Sequence, residues 1–183
     1  MSGTIESLDR TIERLIRDVP DFPKPGVIFK DITPLLADHD GLRAVIEALA
    51  DSGRDVGGTV VVDKVVGMEA RGFILGAPVA LALGVGFVPV RKEGKLPAAT
   101  HQVAYSLEYG EATLEMHQDA IAAGERVLII DDVLATGGTV AATAQLVEKC
   151  GGVVTGAAVL IELSFLPGRE TIGDLPLKAL TTV

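Results

Sequence analysis

The chain has 183 residues, 48% of them hydrophobic and 22% charged, values of a globular domain large enough for its own core. Its 25 acidic and 16 basic residues leave a net charge of −9, which argues against nucleic-acid backbone binding and requires any anionic ligand to meet local positive groups. The one cysteine, Cys150, excludes an internal disulfide framework and fits a reducing cytoplasm. No apolar run is long enough to span a bilayer, and the first ten residues are too polar and acidic for a secretory signal.

Residues 4–18 place Ile5, Leu8, Ile12, Leu15 and Ile16 on one stripe and predict an amphipathic helix. Residues 19–34 carry Pro20, Pro23, Pro25, Gly26 and Pro34 and read as irregular. Within them Val27, Ile28 and Phe29 must be buried somewhere. They could close the core, or Phe29 could stack on a flat aromatic ligand. A second amphipathic helix is expected over 40–52. Residues 59–66 read as the first core strand, interrupted by Asp63 and Lys64, and a glycine-containing loop over 67–72 leads to a helix over 73–83. Arg71 stands near that helix's N-terminus, where a cation opposes the dipole. Its place makes sense with an anion between them, or with Glu69 as its surface partner.

Residues 86–90 form a short strand, and Arg91, Lys92 and Lys95 follow as the strongest local positive patch in an acidic chain. Strand ends of this kind are where the sites of α/β folds collect. Residues 98–109 have no clean period and suggest a mobile loop, although 105–110 and 112–116 alternate like a hairpin. His39, His101 and His117 show no paired ligand spacing. Residues 153–161 are a further core strand, and 177–183 a possible last one. The βα alternation from 59 to 161 predicts an α/β fold, a mainly parallel sheet covered on both faces. With no repeat or linker in view, 1–183 reads as a single domain.

The most informative stretch is 127–139, VLIIDDVLATGGT. An apolar strand runs into Asp131 and Asp132, then a turn of small residues, Ala135, Thr136, Gly137, Gly138 and Thr139. Beyond the turn Val140, Ala144 and Val147 fall on one helical face. Such a junction aims several backbone N–H groups and the positive end of a helix dipole at one spot. It looks like a phosphate cradle. A carboxylate repels phosphate but accepts hydrogen bonds from hydroxyls, so the two acids suit a ribose diol. No G-x-x-x-x-G-K-[ST] or G-x-G-x-x-G is present. The element describes a ribose 5-phosphate site.

IIDDVLATGGT resembles the phosphoribosyl pyrophosphate (PRPP) signature of the type I phosphoribosyltransferases. FPKPGVIFKDITPLL and YSLEYG are similar to the base-binding hood and the flexible-loop motif of those members that act on adenine. The resemblance implies a small N-terminal hood over about 1–58 and a core over about 59–183. It implies purine salvage, adenine and PRPP giving AMP and diphosphate. Residues 135–139 would bind the 5-phosphate, Asp131 and Asp132 the ribose hydroxyls, and Arg71, Arg91, Lys92 and Lys95 the diphosphate. Val27, Phe29 and Lys30 would bind adenine, and Glu108 and Tyr109 would be catalytic. It further implies Mg²⁺ held mainly by PRPP and water, with no protein metal ligands, and a cytoplasmic homodimer. Another purine, xanthine or hypoxanthine, and a non-catalytic PRPP-sensing regulator of the same fold are the alternatives.

Overall fold

A computed structural model of the chain describes residues 7–106 and 111–183. Two units are distinguished, one ending at Glu47 and the other running from Ala48 to Val183.

In the first unit, α1 (Leu8–Leu15) buries Thr11, Ile12 and Leu15. It is shorter than the expected 4–18, of which 4–6 lie outside the described residues. It stops at Ile16, whose backbone is extended, because the following residues join an antiparallel ribbon. In that ribbon β1 (Arg17–Pro20) pairs with β2 (Ile28–Asp31). The reading of 19–34 as irregular is corrected here. Prolines forbid a helix, but a two-stranded ribbon has outer edges that need no amide donor. The Asp21 carboxylate closes the connection by accepting the Gly26 N–H at 2.8 Å, with Gly26 at φ +84°. After α2 (Thr33–Ala37) comes α3 (His39–Ala50), which carries the boundary between the units.

The second unit is built on a mixed sheet. Its strands are β3 (Lys64–Met68), β4 (Gly86–Lys92), β5 (Thr100–Ser106), β6 (Glu111–His117), β7 (Arg126–Leu134), β8 (Val153–Glu162) and β9 (Leu177–Thr182). Among the described residues the order is β5-β6-β4-β3-β7-β8-β9. Pairs from β4 through β9 are parallel, while β6 runs antiparallel to β4 and β5. The predicted α/β class, a mostly parallel sheet flanked by helices, is what the chain adopts.

Two local expectations change. The first core strand starts at Lys64, because Asp63 is turned to Arg126, accepting from its backbone N at 2.8 Å and its guanidinium at 2.8 and 2.9 Å. It reaches Met68, because Gly67 and Met68 pair with Pro89 and Val90. Residues 100–106 are strand rather than loop. They pair with β6 from Thr100↔His117 to Ser106↔Glu111 and bury Val103.

Between β3 and β4 lies α4 (Arg71–Leu83), and between β7 and β8 lies α5 (Gly138–Lys149). The crossovers β3 to β4 and β7 to β8 step in opposite directions across the sheet, so right-handed connections put the two helices on opposite faces. Val140, Leu146 and Val147 of α5 share one apolar cluster with Val66, Met68, Val88, Val90, Val127 and Ile129. On the other face α4 lies against Gly67 and Phe87. There the ring of Phe73 meets Phe87 edge to face at 6.0 Å. A Cβ on Gly67 would stand 2.6 Å from the Gly72 carbonyl oxygen and 2.7 Å from Phe87 Cε2. Gly67→Ala should therefore push α4 off the sheet, at about 1–3 kcal/mol and a several-degree fall in Tm. Calorimetry checks this, and an unchanged midpoint would mean that the helix shifts without cost.

Candidate active site

Three neighbouring strands, β4, β3 and β7, end at the same edge of the second unit, each parallel to the next. The residues just beyond them form the site.

Beyond β7, Gly137 takes φ +83° at the N-cap of α5 and offers no capping side chain. The helix's first-turn amides are therefore left for a ligand. The left-handed backbone is one reason for glycine here. Packing is another, since a Cβ would stand 2.6 Å from the Gly168 carbonyl oxygen. Gly168 opens α6 (Gly168–Ile172) and is itself constrained, its Cβ position lying 2.5 Å from the Ala135 carbonyl oxygen. The turn encloses a concavity of about 60 Å³ lined by Thr136, Gly137 and Thr139 among others.

Asp131 and Asp132 lie within β7 rather than after it. Asp132 is buried, 4% exposed, and its carboxylate binds the Nε of Arg71 at the start of α4. Asp131 accepts the Asp132 backbone N–H at 2.9 Å. Burial first, and then the neighbouring Asp132 charge, push its carboxyl well above the usual carboxylate range. Gly72 brings α4 close enough for this meeting: a Cβ there would stand 2.9 Å from Asp131 Oδ1 and 3.0 Å from the Ile130 carbonyl oxygen.

Beyond β3, Glu69 gathers groups from the end of β4 and the turn after it. Its carboxylate binds Lys95 Nζ, accepts the Lys92 N–H at 3.1 Å and stands 3.6 Å from Arg91 Nε. The Lys95 bond is the main reason that the Glu69 carboxyl is held below its ordinary value. Arg91 also donates through Nη1 to the Lys95 carbonyl at 3.0 Å. The surface pairing of Arg71 with Glu69, weighed from sequence, is thus replaced by two exchanged pairs, Arg71–Asp132 and Lys95–Glu69.

The structure brings together Arg71, Arg91, Lys92, Lys95, Asp131, Asp132 and the 135–139 turn within one unit. Glu108 and Tyr109 lie outside the described residues. Val27, Phe29 and Lys30 belong to the first unit. There Phe29 packs edge-on against Phe22, with ring centres 5.2 Å apart, and Lys30 Nζ binds the Asp18 carboxylate at 2.7 and 3.0 Å. Sequence reasoning gave no functional weight to Glu69, Glu115 or Gly168. For the last, the Pro-Gly dipeptide at 167–168 is a turn signal in the sequence.

The phosphoribosyl transferase domain family matches residues 31–169. An adenine phosphoribosyltransferase of Nocardioides sp. is 70% identical over 92% of this chain and 91% of its own length. The crystal structure of the adenine phosphoribosyltransferase from Thermoanaerobacter pseudethanolicus superposes with a TM-score of 0.90 at 49% identity, covering 97% of this chain and 100% of its own. That of the Saccharomyces cerevisiae enzyme, complexed with an imino-altritol bisphosphate and adenine, also gives 0.90, at 38% identity over 94% and 98%.

The raised Asp131 carboxyl has a pH consequence. Folding holds its proton more tightly than the unfolded chain does. The stability tied to that proton is complete below the ordinary carboxylate value of about 3.9 and is lost as pH climbs through the raised one. Asp131→Asn should raise Tm by a few degrees at neutral pH, with a gain that disappears on acidification. Thermal melts across pH check this, and a gain independent of pH would contradict it.

Proposed function

Since this chain belongs to the type I phosphoribosyltransferase family, among its adenine phosphoribosyltransferases, we infer that it converts adenine and PRPP to AMP and diphosphate in purine salvage. What carries the reading at the level of geometry is one edge of three parallel strands. It joins a glycine-capped helix N-terminus, an acid pair of which Asp132 is buried, and four cations.

The 5-phosphate enters the 135–139 turn, where the amides of Gly137, Gly138 and Thr139 and the hydroxyls of Thr136 and Thr139 surround it. Asp131 and Asp132 accept hydrogen bonds from the ribose hydroxyls. Arg71, Arg91, Lys92 and Lys95 take the diphosphate. Binding is an exchange: Asp132 gives up Arg71 for a hydroxyl, and Arg71 turns to a diphosphate oxygen. Lys95 leaves Glu69 in the same way. N9 of adenine then forms its bond to C1 as the C1–diphosphate bond breaks, with oxocarbenium character at C1. Charge accumulates on the leaving diphosphate, and the cations stabilise it there. Glu108 takes the proton released by N9, with Tyr109 beside it in sequence. Val27, Phe29 and Lys30 hold the adenine ring, Phe29 by stacking.

Mg²⁺ would be held mainly by PRPP and water, and would neutralise part of the diphosphate charge. Among the described residues no three His, Cys, Asp or Glu side chains come together. No described helix is long and apolar enough to cross a membrane. A cytoplasmic location suits a chain with one cysteine, free and half-buried.

Assays with each purine test the reaction. AMP should form at least ~100-fold more efficiently than IMP or XMP, and Glu108→Gln should lower kcat by roughly 10²–10⁴. Preferred formation of IMP would overturn the base assignment. The homodimer is supported by α4, which exposes Ile74 (46%) and Leu81 (82%) one heptad apart on the same face. Sedimentation should give twice the chain mass for the native protein, and Leu81→Lys should shift it toward monomer. A native monomer would remove the dimer.

A further inference from the structure

Among the buried acids of the second unit, Glu115 is held in an unusual way. It sits in β6, directly across from Arg91 of β4, and is 3% exposed. Among the described residues its partners are amides and a hydroxyl, not cations. Oε1 accepts the backbone N–H of Lys95 at 2.9 Å and of Leu96 at 2.8 Å, and Oε2 lies 3.5 Å from Thr100 Oγ1. Burial pushes its carboxyl up. The converging amides of Leu96, Lys95 and Gly94, with the Gln102 side chain, outweigh this and hold it below the ordinary value. It is therefore an ionised carboxylate buried in a nest of successive N–H groups, the arrangement that proteins use to hold anions.

The segment that it gathers is the one that carries Lys95. Gly94 turns the chain at φ +79°, Arg91 bonds the Lys95 carbonyl, and Glu115 takes the amides. Lys95 is thus fixed at its N–H, its C=O and, through Glu69, its ammonium. The two acids differ in what they hold. Glu69 binds a side-chain ammonium, which a diphosphate can take over. Glu115 binds backbone amides, which no ligand displaces, so it stays engaged when Lys95 leaves Glu69.

We propose that Glu115 is a positioning residue for the diphosphate: it shapes the 94–96 backbone so that Arg91 and Lys95 present their charges together. This rests on reading Arg91 and Lys95 as diphosphate ligands. A carboxylate can accept from several donors on both oxygens, whereas a glutamine puts an amide donor on one side and loses the charge.

Calorimetric titration of the full-length protein with diphosphate plus Mg²⁺, and separately with AMP, tests it. Glu115→Gln should weaken diphosphate by roughly tenfold and leave AMP within about twofold, with KM for PRPP raised and KM for adenine unchanged. Gly94→Ala distorts the same turn from its exposed side, where a side chain strains the positive φ. It should reproduce that selective loss without touching the core. Native diphosphate affinity in either folded variant, or equal loss of both ligands, would overturn the proposal. Should Glu115→Gln fail to fold, Gly94→Ala decides alone. Lys95→Ala separates the two layers: if it leaves diphosphate binding intact, the diphosphate reading falls and this inference with it. If Lys95→Ala weakens diphosphate while Glu115→Gln does not, only Glu115 loses its role.

Discussion

The site depends on the close approach of the α4 N-terminus to β7. Gly72 permits it, because any Cβ there would meet the Asp131 carboxylate and the Ile130 carbonyl. The approach sets Arg71 against the buried Asp132. It thereby ties one strand–loop–helix element, β3 to α4, to the other, β7 to α5. Without that contact the cations of one loop and the anion cradle of the other would share only a sheet edge. Gly67 and Gly76 extend the same seam, both lying against Phe87. A run of small residues is thus the packing condition for an electrostatic arrangement.

That arrangement offsets part of its own charge before any ligand arrives. Arg71 pairs with Asp132, while Lys95 and Arg91 share the single carboxylate of Glu69. In a chain of net charge −9, unmatched cations would also attract any small anion. Breaking a buried pair by removing one partner is costly, because it leaves the other charge uncompensated. A plain phosphate could satisfy Arg71 but would strand Asp132. A sugar bearing both a phosphate ester and free hydroxyls satisfies both sides. On the proposed assignment of Arg71 and Asp132, selectivity for PRPP over simpler anions would follow from pairing both partners at once, which is how sites reject ligands that leave a buried polar group unmatched.

What could be read from the sequence was local. An apolar run, a turn of small residues and a helical period at 127–147 mark strand, turn and helix, and so do the β-branched run, glycine loop and helix expected over 59–83, although that first strand lies at Lys64–Met68. Gly137 announces the turn between them. What could not be read was decided by partners far along the chain. β5 lacks a strand-like pattern of its own and is made a strand by its pairing with β6. The β1–β2 ribbon is hidden under prolines that look only like breakers. Arg71 has an acid two residues away in Glu69, yet its partner is Asp132, 61 positions distant. Glu69 in turn takes Lys95, 26 positions away. Glu115 looks like an ordinary polar residue in an alternating strand, and only the fold shows that its carboxylate is enclosed by backbone amides.

The two ends of the proposed PRPP site are therefore built on opposite plans. The 5-phosphate end is fixed by backbone packing. Gly137 packs too closely on the Gly168 carbonyl to admit a side chain, and Gly168 too closely on Ala135 and Leu134, so α6 buttresses the turn. Its donors need no rearrangement to receive a ligand. The diphosphate end is held by side-chain ion pairs that must be exchanged, on a backbone that Glu115 keeps in shape. A ligand anchored first at the preorganised end presents its diphosphate to Arg71 and Lys95 at high effective concentration. The intramolecular competition with Asp132 and Glu69 is then won by a substrate that carries both groups, and lost by free diphosphate once the bond between them is broken. On that assignment, the same ion pairs that compete with incoming anions would favour release of the product.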